Sequence, residues 1–296
     1  MSHLFRCAAM AALCLGVVAC GPGDQPADTS DASDTVREDG ADSAGNGVTE
    51  TAPPPVTDVL PSTATDTAAI TIDLPDNEAV EFDFNLDPAV IVFDPGVAKM
   101  LADEGVREAL SFASEASAEK ARQDNDFFRP WALGLDWELV AEAGDIGAVE
   151  ITIYMNSGGA HPNAFSETRI YRKGGETLSS RDFFSDPDGA EEKLSELVRE
   201  RLLAARMERV GDFMSEAEAA ESIDGVLGEG LYRSLEPGLA GSTEAGRLGG
   251  LKVHVDPYII GPYAEGAYEI VVPQAQFRDL VRPEYRDLFA GEPAGK

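Results

Sequence analysis

The chain has 296 residues, with 54 Asp plus Glu against 23 Lys plus Arg and a formal net charge of −31. That sign argues against nucleic acid, whose affinity rests on cationic contacts to phosphate, and against a polybasic membrane patch, while favouring a cationic partner steered by a one-signed field. Cys7, Cys14 and Cys20 are the only cysteines, so the body of the protein has no thiol for a disulfide, a metal site or a nucleophile.

Arg6 precedes a small-residue and apolar run, CAAMAALCLGVVAC, that is too brief to span a bilayer. The run ends in VVACG, Val17 to Gly21, which resembles a bacterial lipoprotein signal. The resemblance implies a signal peptide over 1–19, cleavage before Cys20 and diacylglycerol on the Cys20 sulfur. With about 0.8 kcal/mol for each buried lipid CH₂, two or three chains hold a protein on a bilayer almost permanently. From residue 20 to 68 the chain is Asp, Ser, Thr, Gly, Ala and Pro with few large apolar residues. Such a segment buries too little surface to offset its ordering entropy, so it is expected to be a disordered tether. The expected location is the cell envelope, lipid-anchored and facing the periplasm. Gly21 points to the outer membrane in a host that has one.

The folded part is expected to be α+β: two small subdomains of antiparallel sheet with helices packed on them, over 69–172 and 173–290, with a tail over 291–296. AAITIDL (68–74) and AVIVFD (89–94) are short and β-branched and predict strands. EAVEFDFNL between them alternates apolar with acidic residues, as a half-exposed strand does. Asp94-Pro95 opens a helical pattern through Ala116 that Gly105 divides in two. LDWELVAEAG and AVEITIYM form a hairpin around AGDIG, and the chain resumes as a strand in AFSETRIYRK before Gly174-Gly175 turns it back. A long helix follows, capped by Asp186 or Asp188, with Leu194, Leu197, Val198, Leu202 and Ala205 as its stripe. The next opens on a capping box, Ser215 with Glu218. LKVHVD and AYEIVVP predict the last two strands, and AQFRDLV a short terminal helix.

Two links between strands stand out. In NSGGAHPNAF, Gly158 and Gly159 permit positive φ, Pro162 pushes His161 toward an extended backbone, and Asn163 begins the next strand. Free amides here could form a small anion-binding nest. His161 could act as a base, a ligand to a metal or a contact residue. However, a zinc site needs three or four clustered ligands, and the folded part has only His161 and His254. No G-x-S-x-G elbow or Walker loop is present, and GRLGG lacks the strand and helix that a dinucleotide site needs. The expected role of His161 is therefore to brace its loop by hydrogen bonds, with no metal and no cofactor. In VHVDPYIIGPYAEGAYEIVVP, the prolines and glycines shape a connection that carries Tyr258, Tyr263 and Tyr268, large amphipathic side chains suited to recognition. Abundant carboxylates keep open a glycan-active enzyme that works through an acid pair with His161.

YMNSGGAHPN with its following strand, GETLSSRDFF, and DPYIIGPYAEGAYEIVVPQAQFRDLV together resemble a bacterial extracytoplasmic module. It is the paired domain of the lysozyme-sensing anti-sigma-V factor, which also accompanies the catalytic domain of a peptidoglycan N-acetylglucosamine deacetylase. The resemblance spans about residues 69–290 and is loose from Ala89 to Trp131. It implies a non-catalytic envelope-binding module, because the deacetylase's catalytic Asp and His motifs have no counterpart here. The bare module is expected on a lipid, without sigma-factor control. Its ligand would be a cationic protein such as a lysozyme-type muramidase, or peptidoglycan. The expected contacts are Gly158, Gly159, His161 and Asn163 in one loop and Asp256, Tyr258, Tyr263 and Glu265 in the other.

Overall fold

Alternation along Val80–Leu86 (β1) puts Val80, Phe82 and Phe84 on one face and Glu81, Asp83 and Asn85 on the other. The computed structural model describes residues 70, 72, 74, 76–123 and 128–295. The signal, Cys20, the tether and most of the strand expected over 68–74 lie outside them. β1 is followed by Pro88–Phe93 (α1) and Pro95–Arg122 (α2), then by β2 (Trp131–Ala143), β3 (Ile146–Asn156), β4 (Asn163–Arg172) and β5 (Glu176–Leu178). Helices α3 (Pro187–Val210), α4 (Glu216–Leu227) and α5 (Leu231–Ser234) come next. β6 (Gly238–Gly241), β7 (Leu248–Val255), β8 (Tyr268–Pro273) and the single turn α6 (Pro283–Arg286) finish the chain. The fold is α+β, with a five-stranded sheet in the order β1-β2-β3-β4-β5 and a three-stranded sheet in the order β6-β7-β8.

Four local expectations are corrected. Residues 89–94 do not form a strand. Asp87 caps Ala89 N–H with its side chain and Pro88 occupies the first helical position, so the apolar run turns as α1. Gly105 does not divide α2. It lies under Trp137, where a Cβ would stand 2.6 Å from the ring, so the glycine serves close helix-on-sheet packing. β1 joins β2 in parallel rather than antiparallel fashion, with α1 and α2 as the crossover. The end of the chain is 3₁₀ turns and α6 rather than one helix over AQFRDLV.

The hairpins and caps form as the sequence predicts. β2, β3 and β4 form an antiparallel meander, with a bulge in β2 between Leu139 and Ala141. Asp94 caps α2 through Gly96 and Val97 N–H, Asp186 caps α3, and Ser215 with Glu218 forms a complete capping box on α4. No helix among the described residues is long and apolar enough to cross a membrane.

Helix α2 lies on the face of the large sheet that carries Leu135 and Trp137. The small sheet packs on part of the opposite face, and glycine lets it come close. A Cβ on Gly238 would stand 2.3 Å from Thr168 Cβ of β4, and one on Gly241 would stand 2.7 Å from the Val140 carbonyl of β2. One hydrophobic cluster joins Ile146, Ala148 and Ile170 of the large sheet to Val253 and Ile270 of the small one and to Leu194, Val198 and Leu202 of α3. It therefore draws on both sides of the boundary expected at residue 172.

Candidate functional site

The two loops singled out in the sequence meet. His161, between β3 and β4, stacks on Tyr263 from the β7–β8 connection, with ring centroids 3.8 Å apart and planes 16° from parallel. Tyr258 closes the group, 6.0 Å from the imidazole and 5.8 Å from the Tyr263 ring. Both imidazole nitrogens are engaged. Nδ1 lies 3.1 Å from the Pro162 carbonyl, which can only accept. In the neutral ring Nδ1 therefore carries the proton, and Nε2 accepts from the Tyr258 hydroxyl at 2.8 Å. The imidazole thus braces a contact between two sheets.

Tyr258 is held in an unusual way. Ile259 N–H donates to the Asp256 carbonyl at 3.2 Å, closing a four-residue turn with Pro257 second and Tyr258 third. Tyr258 has φ 74°, the value a type II turn needs at its third position, where glycine is preferred. A tyrosine there costs of order 1–3 kcal/mol, yet its side chain is 51% exposed. The hydroxyl bond to His161 accounts for one end of the ring, while about half of the residue's surface faces solvent.

Asp256, which opens this turn, accepts Ser166 N–H at 3.0 Å and so ties the end of β7 to β4. Burial pushes its carboxyl up to about 6. The Ser166 N–H bond opposes the shift and Glu167 adds to it. Glu265, at the other end of the loop, pairs with Arg206 of α3 through both oxygens, at 3.0 and 3.1 Å, and accepts from the Tyr268 hydroxyl at 2.9 Å. Burial works to raise its carboxyl, but the bonds from Arg206 and Tyr268 outweigh it and leave it below the ordinary value. Arg206 also donates to the Ala219 carbonyl and to Ser222. Arg209 donates to the Glu265 and Ala267 carbonyls and lies 3.8 Å over the Tyr268 ring. Gly261 leaves room for the Glu265 carboxylate, which a Cβ would approach to 2.4 Å.

Of the residues singled out, His161, Tyr258 and Tyr263 come together, Glu265 anchors them from behind and Asp256 clamps their base. Gly158, with φ 79°, gives its N–H to Asn156 Oδ1 rather than to an anion nest. Gly159 is exposed, and Asn163 begins β4 opposite Met155. Arg206 and Arg209 were missed. The signal for Arg206 was its spacing, four residues beyond Leu202 on the stripe Leu194, Val198, Leu202, where a buried arginine needs a partner.

His254 does not join His161. It faces the large sheet, with Nε2 3.0 Å from Thr168 Oγ1 and 3.6 Å from Glu150. Glu150, His254 and Glu269 bring ligand-type atoms within 4.8 Å of one another. Lys252 Nζ already stands among them, 2.8 Å from Glu150 and 3.2 Å from Glu269, and supplies the positive charge.

No protein-family model matches the chain, and no curated protein matches it. Among solved structures it is similar to a DUF3298 family protein from Pseudomonas aeruginosa PAO1, at 21% identity over 59% of this chain and 72% of the other, with a TM-score of 0.35. It is also similar to a member of the same family from Bacteroides fragilis NCTC 9343, at 17% identity over 67% of this chain and 74% of the other, with a TM-score of 0.43. These neighbours belong to a family of unknown function.

Proposed function

We propose that this is a cell-envelope lipoprotein, acylated at Cys20, whose folded body binds a ligand without turning it over. The ligand is a cationic envelope protein of the lysozyme type, or peptidoglycan. The observation that carries the reading is the exposed Tyr258 ring, fixed at positive φ beside His161 and Tyr263. A strained backbone that presents an aromatic side chain to solvent is what recognition uses.

The test is to titrate the full-length protein with lysozyme and with peptidoglycan sacculi, following retention and glycan cleavage or deacetylation separately. Tyr258→Gly keeps the turn and removes the ring. It is expected to weaken binding by about tenfold or more, the range of an interface hot spot, while the fold is kept or stabilised. Turnover abolished by His161→Ala would establish instead an enzyme acting on wall glycan. Acylation is checked by incorporation of labelled fatty acid, lost in Cys20→Ser.

A further inference from the structure

Tyr258 meets the three conditions that activate a weak nucleophile. Its hydroxyl has a base: the bond of 2.8 Å to His161 Nε2 aims the phenol proton at a nitrogen lone pair. The base has an orienter: the Pro162 carbonyl, 3.1 Å from Nδ1, holds the imidazole in the tautomer whose Nε2 accepts. The Tyr263 ring, stacked at 3.8 Å, fixes the plane of that imidazole. Nucleophile, base and orienter within hydrogen-bond reach are the arrangement that activates hydroxyl groups for attack. The third condition is access. Tyr258 is exposed, and its backbone stands at φ 74° against local preference.

Other tyrosines lack one condition or another. Tyr268 also donates to a base, Glu265, but it is buried. Tyr154 is 41% exposed, but among the described residues its hydroxyl is bonded to no base. The surroundings select the electrophile. The chain has a formal net charge of −31, and Asp256 and Glu265 bracket the connection. Arg206 and Arg209 are taken up by Glu265 and by main-chain carbonyls. A phosphoryl donor is a polyanion that needs cations at the transferring group, so this surface disfavours it. An uncharged acyl donor meets no such barrier, and a flat leaving group can lie against the aromatic rings.

We propose that Tyr258 is an acyl-acceptor site: its phenol oxygen takes the acyl group of an activated, uncharged ester, with His161 as the base. The bond from Tyr258 Oη to the acyl carbon forms, and the bond from that carbon to the leaving oxygen breaks. The hydroxyl proton passes to His161 Nε2 and from there to the departing oxygen, so the step needs no oxidant or reductant. The product is a tyrosyl ester, one per chain, with no proton left to donate to His161. The inference goes beyond the binding reading and does not depend on it, although the ester would lose the bond that holds one end of the exposed ring.

The probe is p-nitrophenyl acetate, added to full-length protein, with nitrophenolate release followed by absorbance and acetyl groups placed by peptide mass spectrometry. Tyr258 is expected to acetylate at least about tenfold faster than Tyr154 in the same molecule, short of the roughly 10²–10⁴-fold that a fully positioned base contributes. His161→Gln is expected to remove most of that advantage and Tyr258→Phe to abolish the adduct, with circular dichroism to confirm that each variant is folded. The wild-type step is expected to slow in D₂O, an effect that a merely structural histidine does not produce. Tyr258 acetylating no faster than Tyr154, a stable acetyl group on His161 in its place, or an unchanged rate in folded His161→Gln would overturn the proposal. The Tyr258-to-Tyr154 ratio needs no variant, so it decides even where His161→Gln fails to fold. Release beyond one equivalent that requires both residues would support the nucleophile and overturn the non-catalytic reading. If Tyr258 acetylates preferentially but neither lysozyme nor peptidoglycan is retained, the acceptor stands and the ligand assignment falls. If retention depends on Tyr258 without preferential acetylation, the acceptor alone is refuted.

Discussion

Replacing Arg206 by Met tests what holds the Tyr263 turn in place. The Arg206 side chain is 3% exposed and its partner Glu265 10%, so the pair lies almost wholly out of water. Among the described residues, Arg206 is the only side chain that donates to both Glu265 oxygens. Methionine fills much the same volume but leaves the carboxylate buried with only the Tyr268 hydroxyl as a side-chain donor. Breaking a buried pair from one side costs about 3–5 kcal/mol. For a body of this size that is a fall in Tm of about 6–20 °C. Urea and thermal unfolding measure it. Arg206→Met/Glu265→Gln, in which no charge is stranded, is expected to regain more than half of the loss. The pair also predicts a pH effect. Glu265 is held below its unfolded value, so its contribution is present above about pH 4.3 and is lost as pH falls through the folded pKa. Arg206→Met is expected to remove that acid-side loss. A single-variant cost below about 1 kcal/mol, or a double variant no better than the single one, would refute the reasoning.

Asp256 has the opposite sign. Its folded pKa of about 6 lies above the unfolded value near 3.9, so its contribution is complete below about pH 4 and is lost as pH rises through 6. Asp256→Asn, which retains an acceptor for Ser166 N–H, is expected to flatten the stability profile between pH 4 and 6 and to be more stable by about 1–3 kcal/mol at pH 8. A melting-temperature series across pH 4–8 decides it. Gly105→Ala improves helix propensity by about 1 kcal/mol but drives a methyl into Trp137, where overpacking costs about 1–3 kcal/mol. Denaturant unfolding should show no gain in stability and a net loss of up to about 2 kcal/mol.

What could be read in advance was local. Asp94, Asp186 and the Ser215–Glu218 box announced their helices because capping is settled within three residues. The hairpins were legible because Val149, Ile151 and Ile153 alternate without interruption and the glycines at 174–175 mark the return. Residues 89–94 misled because β-branched content speaks for a strand, whereas the cap at Asp87 decides the backbone. β6 was missed because Gly-Leu-Ala-Gly has almost no side chain to alternate, and its glycines serve close approach to β2 and β4. The two loops were each picked out by their punctuation, but their union was not. His161 and Tyr258 are 97 positions apart, and no periodicity reaches across that separation.

The imidazole rides on the large sheet and both phenol rings on the connection of the small one, so their stack works as a gauge of how the two sheets sit. A slip of one or two ångströms between the layers would shear the rings apart before it disturbed either ladder of backbone bonds. The ring-current shifts of His161 in a proton spectrum should therefore register loosening of the sheet-to-sheet contact earlier than any probe of secondary structure.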